Sequence, residues 1–92
     1  MNMEFLIKSI EKKQKYPRNK YHTAAYGREC DIVHLVVGQE GKLVVDMIYD
    51  PGYPHRYRTT TVLRIENLAD GTIIFETENS VYTLTPTKKG FA

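Results

Sequence analysis

Ninety-two residues, 41% hydrophobic and 26% charged with a formal net charge of +2, point to one soluble globular domain with a modest core, since two domains would each lack one. Apolar β-formers are too plentiful for a disordered chain, and no stretch approaches the ~20 apolar residues that span a bilayer. A single cysteine, Cys30, excludes an internal disulfide or a thiolate cluster and favours a reducing, intracellular setting.

The opening MNMEFLIKSIEKKQK has a short apolar run followed by a basic one, the reverse of a secretory signal. Cytoplasm, including that of an infected cell, is therefore the expected location. Residues 3–13 fit two patterns. Met3, Leu6, Ile7 and Ile10 make a helical stripe, whereas Phe5, Ile7 and Ser9 line one face of a strand. Only Asn2 offers an N-cap, and the β character of the remaining chain favours the strand. Residues 14–29, polar with Pro17 and Gly27, read as a long loop, of the kind that is often functional or mobile.

Residues 30–37 (CDIVHLVV) and 42–50 (KLVVDMIYD) read as the two strands of a hairpin, with GQEG (38–41) as its turn. The more apolar face of the first strand, Val33, Leu35 and Val37, is expected to face the core and leave His34 outward. Residues 51–58 are then expected to connect to three further strands, Thr59–Glu66, Thr72–Glu78 and Ser80–Thr85. Asp70-Gly71 closes the first of the turns between them and Asn79 marks the second. Ile73, Phe75 and Thr77 are expected to pair with Tyr82 and Leu84 in the core. Pro86 and the tail TKKGFA end the domain, which occupies residues 1–92 as one unit. Short strands joined by tight turns predict an all-β fold. The expected form is a small antiparallel barrel of five to six strands, SH3-like in preference to OB-like, because closure removes exposed edges.

Thr60, Thr61 and Val62, followed by Thr77, Asn79, Ser80, Tyr82 and Leu84, give a pattern T-T/S-x-V … T-x-N-S-x-Y-x-L. In this the C-terminal part of the chain resembles small uncharacterised β proteins of bacteria and their phages. The resemblance covers roughly a third of the sequence. It implies the small β fold and a bacterial or phage origin, and it brings no activity with it.

Signals for catalysis are missing. His22, His34 and His55 have no metal-binding spacing, and one cysteine adds little to them. No glycine-rich loop precedes a helix. Ser80 or Cys30 with His22 and Asp31 can be drawn as a nucleophilic set only on paper. Cys30 at a strand start reads as a small hydrophobe. The expectation is a non-enzymatic chain with no cofactor and no metal.

What remains is charge and aromatic content. Lys8, Lys12, Lys13, Lys15, Arg18, Lys20 and Arg28 face one acid, Glu11, in the first 28 residues after Glu4, whereas Glu29 to Asp50 is acidic apart from Lys42. Such runs are commonly solvated strand faces, and segregated charge also bears on partners. YDPGYPHRYR (49–58) holds Tyr, Arg and His in a segment stiffened by two prolines. It reads either as a rigid link or as a contact surface of Tyr53, His55, Arg56, Tyr57 and Arg58. Tyr and Arg are the residues that dominate protein-interface hot spots. Two partner classes follow from this composition. One is a protein partner, docked on the Tyr/Arg loop of an accessory or inhibitor protein. The other is nucleic acid, bound through phosphate contacts from Lys12, Lys13, Lys15, Arg18, Lys20, Arg56 and Arg58 with stacking on Tyr. Charge segregation also allows self-association.

Overall fold

A computed structural model describes residues 3–13 and 20–87. Six strands and one short helix follow in the order β1 (Phe5–Lys12), α1 (Lys20–Ala25), β2 (Glu29–His34), β3 (Glu40–Asp46), β4 (Pro54–Asn67), β5 (Ile73–Thr77) and β6 (Ser80–Pro86). Each strand pairs antiparallel with its chain neighbour, and β1 pairs with β6 to close the barrel. The expected class is thus the observed one; strand order alone does not choose between the SH3-like and OB-like forms.

Most of residues 3–13 form a strand, Phe5–Lys12, and their double periodicity has a structural cause. Ile7 and Ile10 are both fully buried although three residues apart. The β1–β6 register shifts between Ile7 and Ser9. A bulge adds one residue to the strand and returns the next side chain to the same face. The i, i+3 spacing that mimics a helix is the trace of that bulge.

The segment expected to be one long loop contains α1. Its alanines, Ala24 and Ala25, are buried. They fill the gap where β1 and β2 part, for those strands pair only at Phe5–Cys30 and Leu6–Glu29. Arg28 O accepts from Ile7 N and Ile7 O accepts from Gly27 N, each at 2.8 Å, which continues the seam. A six-residue helix is too short to stand on propensity, so barrel packing holds it.

β2 also departs from expectation. It ends at His34, and its core face is the one bearing Cys30 and Ile32. Val33 is 62% exposed and Val37 55%, while Leu35 packs partly against the core. Cys30 sits opposite Val45 in β3, and the register shifts between Ile32 and His34. The more apolar alternation loses because the barrel's closure sets which face turns in. The β2–β3 connection is residues 35–39, not 38–41, and Gly41 lies within β3. A Cβ on Gly41 would stand 2.8 Å from Thr59 Oγ1, which accepts the Gly41 N–H at 3.0 Å. Only glycine permits this approach of β3 to β4.

β4 is longer than expected, taking in residues 54–58 as well as 59–67. Its first part pairs with β3 and its second with β5, with register shifts in both ladders. These let one strand bend around the barrel. The last hairpin follows the sequence pattern closely: Phe75 faces Tyr82 and Ile73 faces Leu84.

The core holds an aromatic ladder. Phe75 stacks on Tyr82 with centroids 4.7 Å apart, and Tyr82 meets Tyr57 edge-on at 6.2 Å. The two phenolic oxygens share a hydrogen bond of 3.1 Å in the interior. Burial raises the pKa of both phenols, so both keep their protons at neutral pH. Tyr57→Phe or Tyr82→Phe alone is expected to cost about 1 kcal/mol, because each leaves a buried hydroxyl unpaired. The double variant is expected to cost less than the sum, since no orphan remains. Urea unfolding of the four proteins measures this, and simple additivity would refute the coupling.

Candidate functional site

The connection between β3 and β4, residues 47–53, is built around Asp46. This residue ends β3 and is 8% exposed. Its Oδ1 accepts the N–H of Gly52 at 2.8 Å. Its Oδ2 accepts Arg28 Nη2 at 2.8 Å, and its main-chain O accepts Arg28 Nε, also at 2.8 Å. The Gly52 N–H, followed by the Arg28 charge, holds the Asp46 carboxyl below its ordinary pKa against the opposing effect of burial. Gly52 has φ +82°, a conformation that side-chain-bearing residues rarely adopt. Ile48 N donates to Ala24 O at 3.1 Å, and Asp50 N and Tyr53 N close turns onto Met47 O and Asp50 O.

The loop is therefore fastened at both ends, with Met47 buried in the core, yet its other large side chains point outward. Ile48 is 61% exposed, Tyr49 56% and Tyr53 66%. His55, on β4, binds Asp50 through Nε2 at 2.9 Å. Tyr49 lies edge-on to His55 at 5.3 Å and Tyr53 is tilted against it at 5.9 Å. Three rings thus gather at one end of the barrel.

Of the expected Tyr/Arg surface, Tyr53 and His55 belong to this cluster. Arg56 and Arg58 stand on the outer face of β4 beside it. Tyr57 is elsewhere: at 6% exposure it points into the core. Strand alternation turns Tyr57 inward and Arg56 and Arg58 outward; His55 shares the parity of Tyr57 and meets the loop rings because it stands at the start of β4, next to the loop. The sequence pattern had treated the segment as a loop, where alternation does not apply. Two residues outside that set are also on display: Tyr49 joins the rings, and Ile48 is exposed next to it in the chain. Their signal was present in the sequence, an apolar pair next to Asp-Pro-Gly, but it read as the end of a buried strand.

Among the described residues, the cations expected for phosphate contact, Lys12, Lys13, Arg56 and Arg58, are parted by acidic side chains. Arg56 lies opposite Val44 and Arg58 opposite Lys42 on β3. This puts Lys42, a residue the sequence reading left aside, with the two arginines. Lys13 binds Glu76, which also accepts Arg64. Lys12 ends β1 opposite Ser80. Between that end of β1 and Arg58 stand Glu78, whose carboxylate accepts the Thr61 N–H, and Glu40, which faces Thr61 and lies 3.6 Å from Arg58. Lys20 opens α1, and Lys15 and Arg18 lie outside the described residues.

Cys30 is fully buried, and burial, with Asp31 and Glu29 adding, pushes its thiol up to about 12. Ser80 is also buried. Asp31 accepts the N–H of Glu4 at 2.8 Å. The drawn nucleophilic set therefore has its Ser and Cys inside the barrel wall. Among the described residues no group of three His, Cys, Asp or Glu side chains is arranged to hold a metal ion, and no helix is long and apolar enough to cross a membrane.

Reaction of Cys30 with a disulfide reagent near neutral pH is expected to run about a hundredfold or more slower in the folded protein than in urea, since reaction waits on opening of the barrel. A folded-state rate near that of the unfolded chain would place the thiol at the surface. A pKa raised by folding also means that the unfolded chain ionises first. Stability from this group is intact below the ordinary thiol value and falls as pH rises toward about 12.

Comparison with known proteins finds no matching family model, no matching curated protein and no matching solved structure.

Proposed function

We propose that this chain is a non-enzymatic protein-interaction module, which docks a protein partner on the β3–β4 loop and the adjoining outer face of β4. The observation that carries the reading is the outward display of Ile48, Tyr49 and Tyr53 on a loop fastened by Asp46, Arg28 and Ala24. Large apolar side chains on a surface ordinarily lower solubility, and where several sit together beside polar groups they mark a contact site. A loop already fixed in shape loses little entropy on binding. Tyrosines and arginines in such a setting are the usual energetic centres of an interface.

Nucleic acid is the weaker reading. Glu40 and Glu78 interrupt the cations between Arg58 and the end of β1, Lys13 already has an acidic partner, and one tyrosine of the expected stacking pair is in the core.

The test is selection from a displayed random-peptide library against the immobilised protein, followed by re-screening on Tyr49→Ala/Tyr53→Ala. Both tyrosines are exposed, so the variant is expected to melt close to the wild type. Loop-directed clones are expected to lose roughly tenfold or more in affinity on the variant. If the selected clones bind both proteins equally well, the loop is a connector and this reading fails.

A further inference from the structure

The outer face of β2, β3 and β4 carries a shallow depression of about 620 Å³. Val33 and Val44 supply its apolar floor, and Lys42, Arg56 and Arg58 surround it. Lys42 and Arg58 are direct cross-strand partners. Like charges in that relation destabilise a sheet. Among the described residues Glu40 is the one carboxylate that pairs with any of these three cations, at 3.6 Å with both groups more than half exposed. A pair so exposed contributes little. The free protein thus holds three cations around an aliphatic floor at some cost to itself, an arrangement that a dianionic ligand relieves.

Resting on the interaction reading above, we infer that this face binds an extended acidic segment of the partner, with carboxylates two residues apart. Arg56 and Arg58 are two residues apart on one strand, hence about 6.7 Å along it. An extended peptide repeats its side chains on one face at the same interval. Glutamates at alternate positions therefore meet Arg56 and Arg58 in turn, with Lys42 adding to the second. Each arginine presents a planar fork that matches a carboxylate. The methylene stems of the same glutamates lie over Val33 and Val44, while the intervening side chains turn away from the sheet. The aliphatic floor favours a peptide over single-stranded nucleic acid, whose bases stack on aromatic surfaces.

Fluorescence anisotropy tests this with the full chain and three labelled probes: an alternating Glu-Val peptide, an alternating Lys-Val peptide and an oligothymidine. Titrations at ~50 and ~200 mM salt separate the electrostatic part. The expected result is micromolar binding of the Glu-Val peptide alone, weakened roughly tenfold or more by Arg56→Ala/Arg58→Ala, whose exposed side chains leave folding intact. Tyr49→Ala/Tyr53→Ala is expected to change it by less than about twofold, because the loop lies beyond the strip. The inference is overturned if the Glu-Val peptide does not bind at the lower salt, or binds the arginine variant equally. It is also overturned if oligothymidine binds more tightly than the peptide through the same arginines, which would make the strip a nucleic-acid surface. A failed peptide titration alongside tyrosine-dependent library clones would sink the strip and leave the docking loop standing; the opposite pair of results would do the reverse.

Discussion

Phe75→Ala is expected to lower stability by about 4 kcal/mol, against a total of roughly 5–10 kcal/mol for a domain of this size. Phe75 heads the set of largest fully buried side chains. It lies flat on Tyr82, with an angle of 8° between the rings, and the barrel has closed around it from β4 on one side and β6 on the other. Alanine would remove the ring without letting six hydrogen-bonded strands collapse into the space, so a cavity term adds to the lost burial. It would also take away the flat support of Tyr82 and so disturb the Tyr57–Tyr82 hydrogen bond. Phe75→Leu keeps much of the volume and is expected to cost about 1.5 kcal/mol. Urea unfolding of the three proteins measures the series. Equal costs for Ala and Leu would show that cavity volume is not what counts at this position.

Asp46→Ala comes second, at about 3 kcal/mol at neutral pH. The variant leaves the Arg28 guanidinium without its carboxylate partner and the Gly52 N–H without its acceptor. Both sit at the joint of α1, β3 and the β3–β4 loop, so loss of order there should reach Tyr49 and Tyr53. Binding of loop-directed ligands is expected to weaken with stability, and added Arg28→Ala is expected to cost much less than it would alone, because the charge to be satisfied is then gone. The pH dependence has a definite sign. Folding depresses the Asp46 pKa, so its contribution is complete above the unfolded carboxyl value of about 3.9 and is lost as pH falls through the lower, folded value. The gap between wild type and Asp46→Asn should therefore be widest near neutrality and close below about pH 4. A gap that persists unchanged at about pH 2.5 would mean that shape, rather than the carboxylate charge, is what residue 46 contributes.

The two variants touch different parts of the molecule. Phe75 supports the barrel as a whole, and its loss should broaden exchange everywhere. Asp46 fastens one loop, and hydrogen exchange should report its loss first at Ile48 and Gly52, whose N–H groups donate to Ala24 and Asp46.

Local chemistry in the chain was enough for the barrel class and for its C-terminal hairpin. Alternation of Ile73, Phe75 and Thr77, Asp70-Gly71 at one turn and Asn79 at the next depend on neighbours within a few residues, so they are legible without the fold. The exposure of Tyr53 and the basic character of residues 56–58 were legible in the same way. Closure of the barrel decided the rest. It placed the bulge that lets Ile7 and Ile10 share a face, and it turned Cys30 and Ile32 inward in place of Val33 and Val37. It drew α1 into the gap beside β1, and it extended β4 backward so that Tyr57 entered the core while Arg56 and Arg58 stayed out. The union of Arg28 with Asp46, and of Lys42 with Arg58, joins residues 18 and 16 positions apart. Register across a closed sheet is a property of all six strands at once, and no single stretch of sequence carries it.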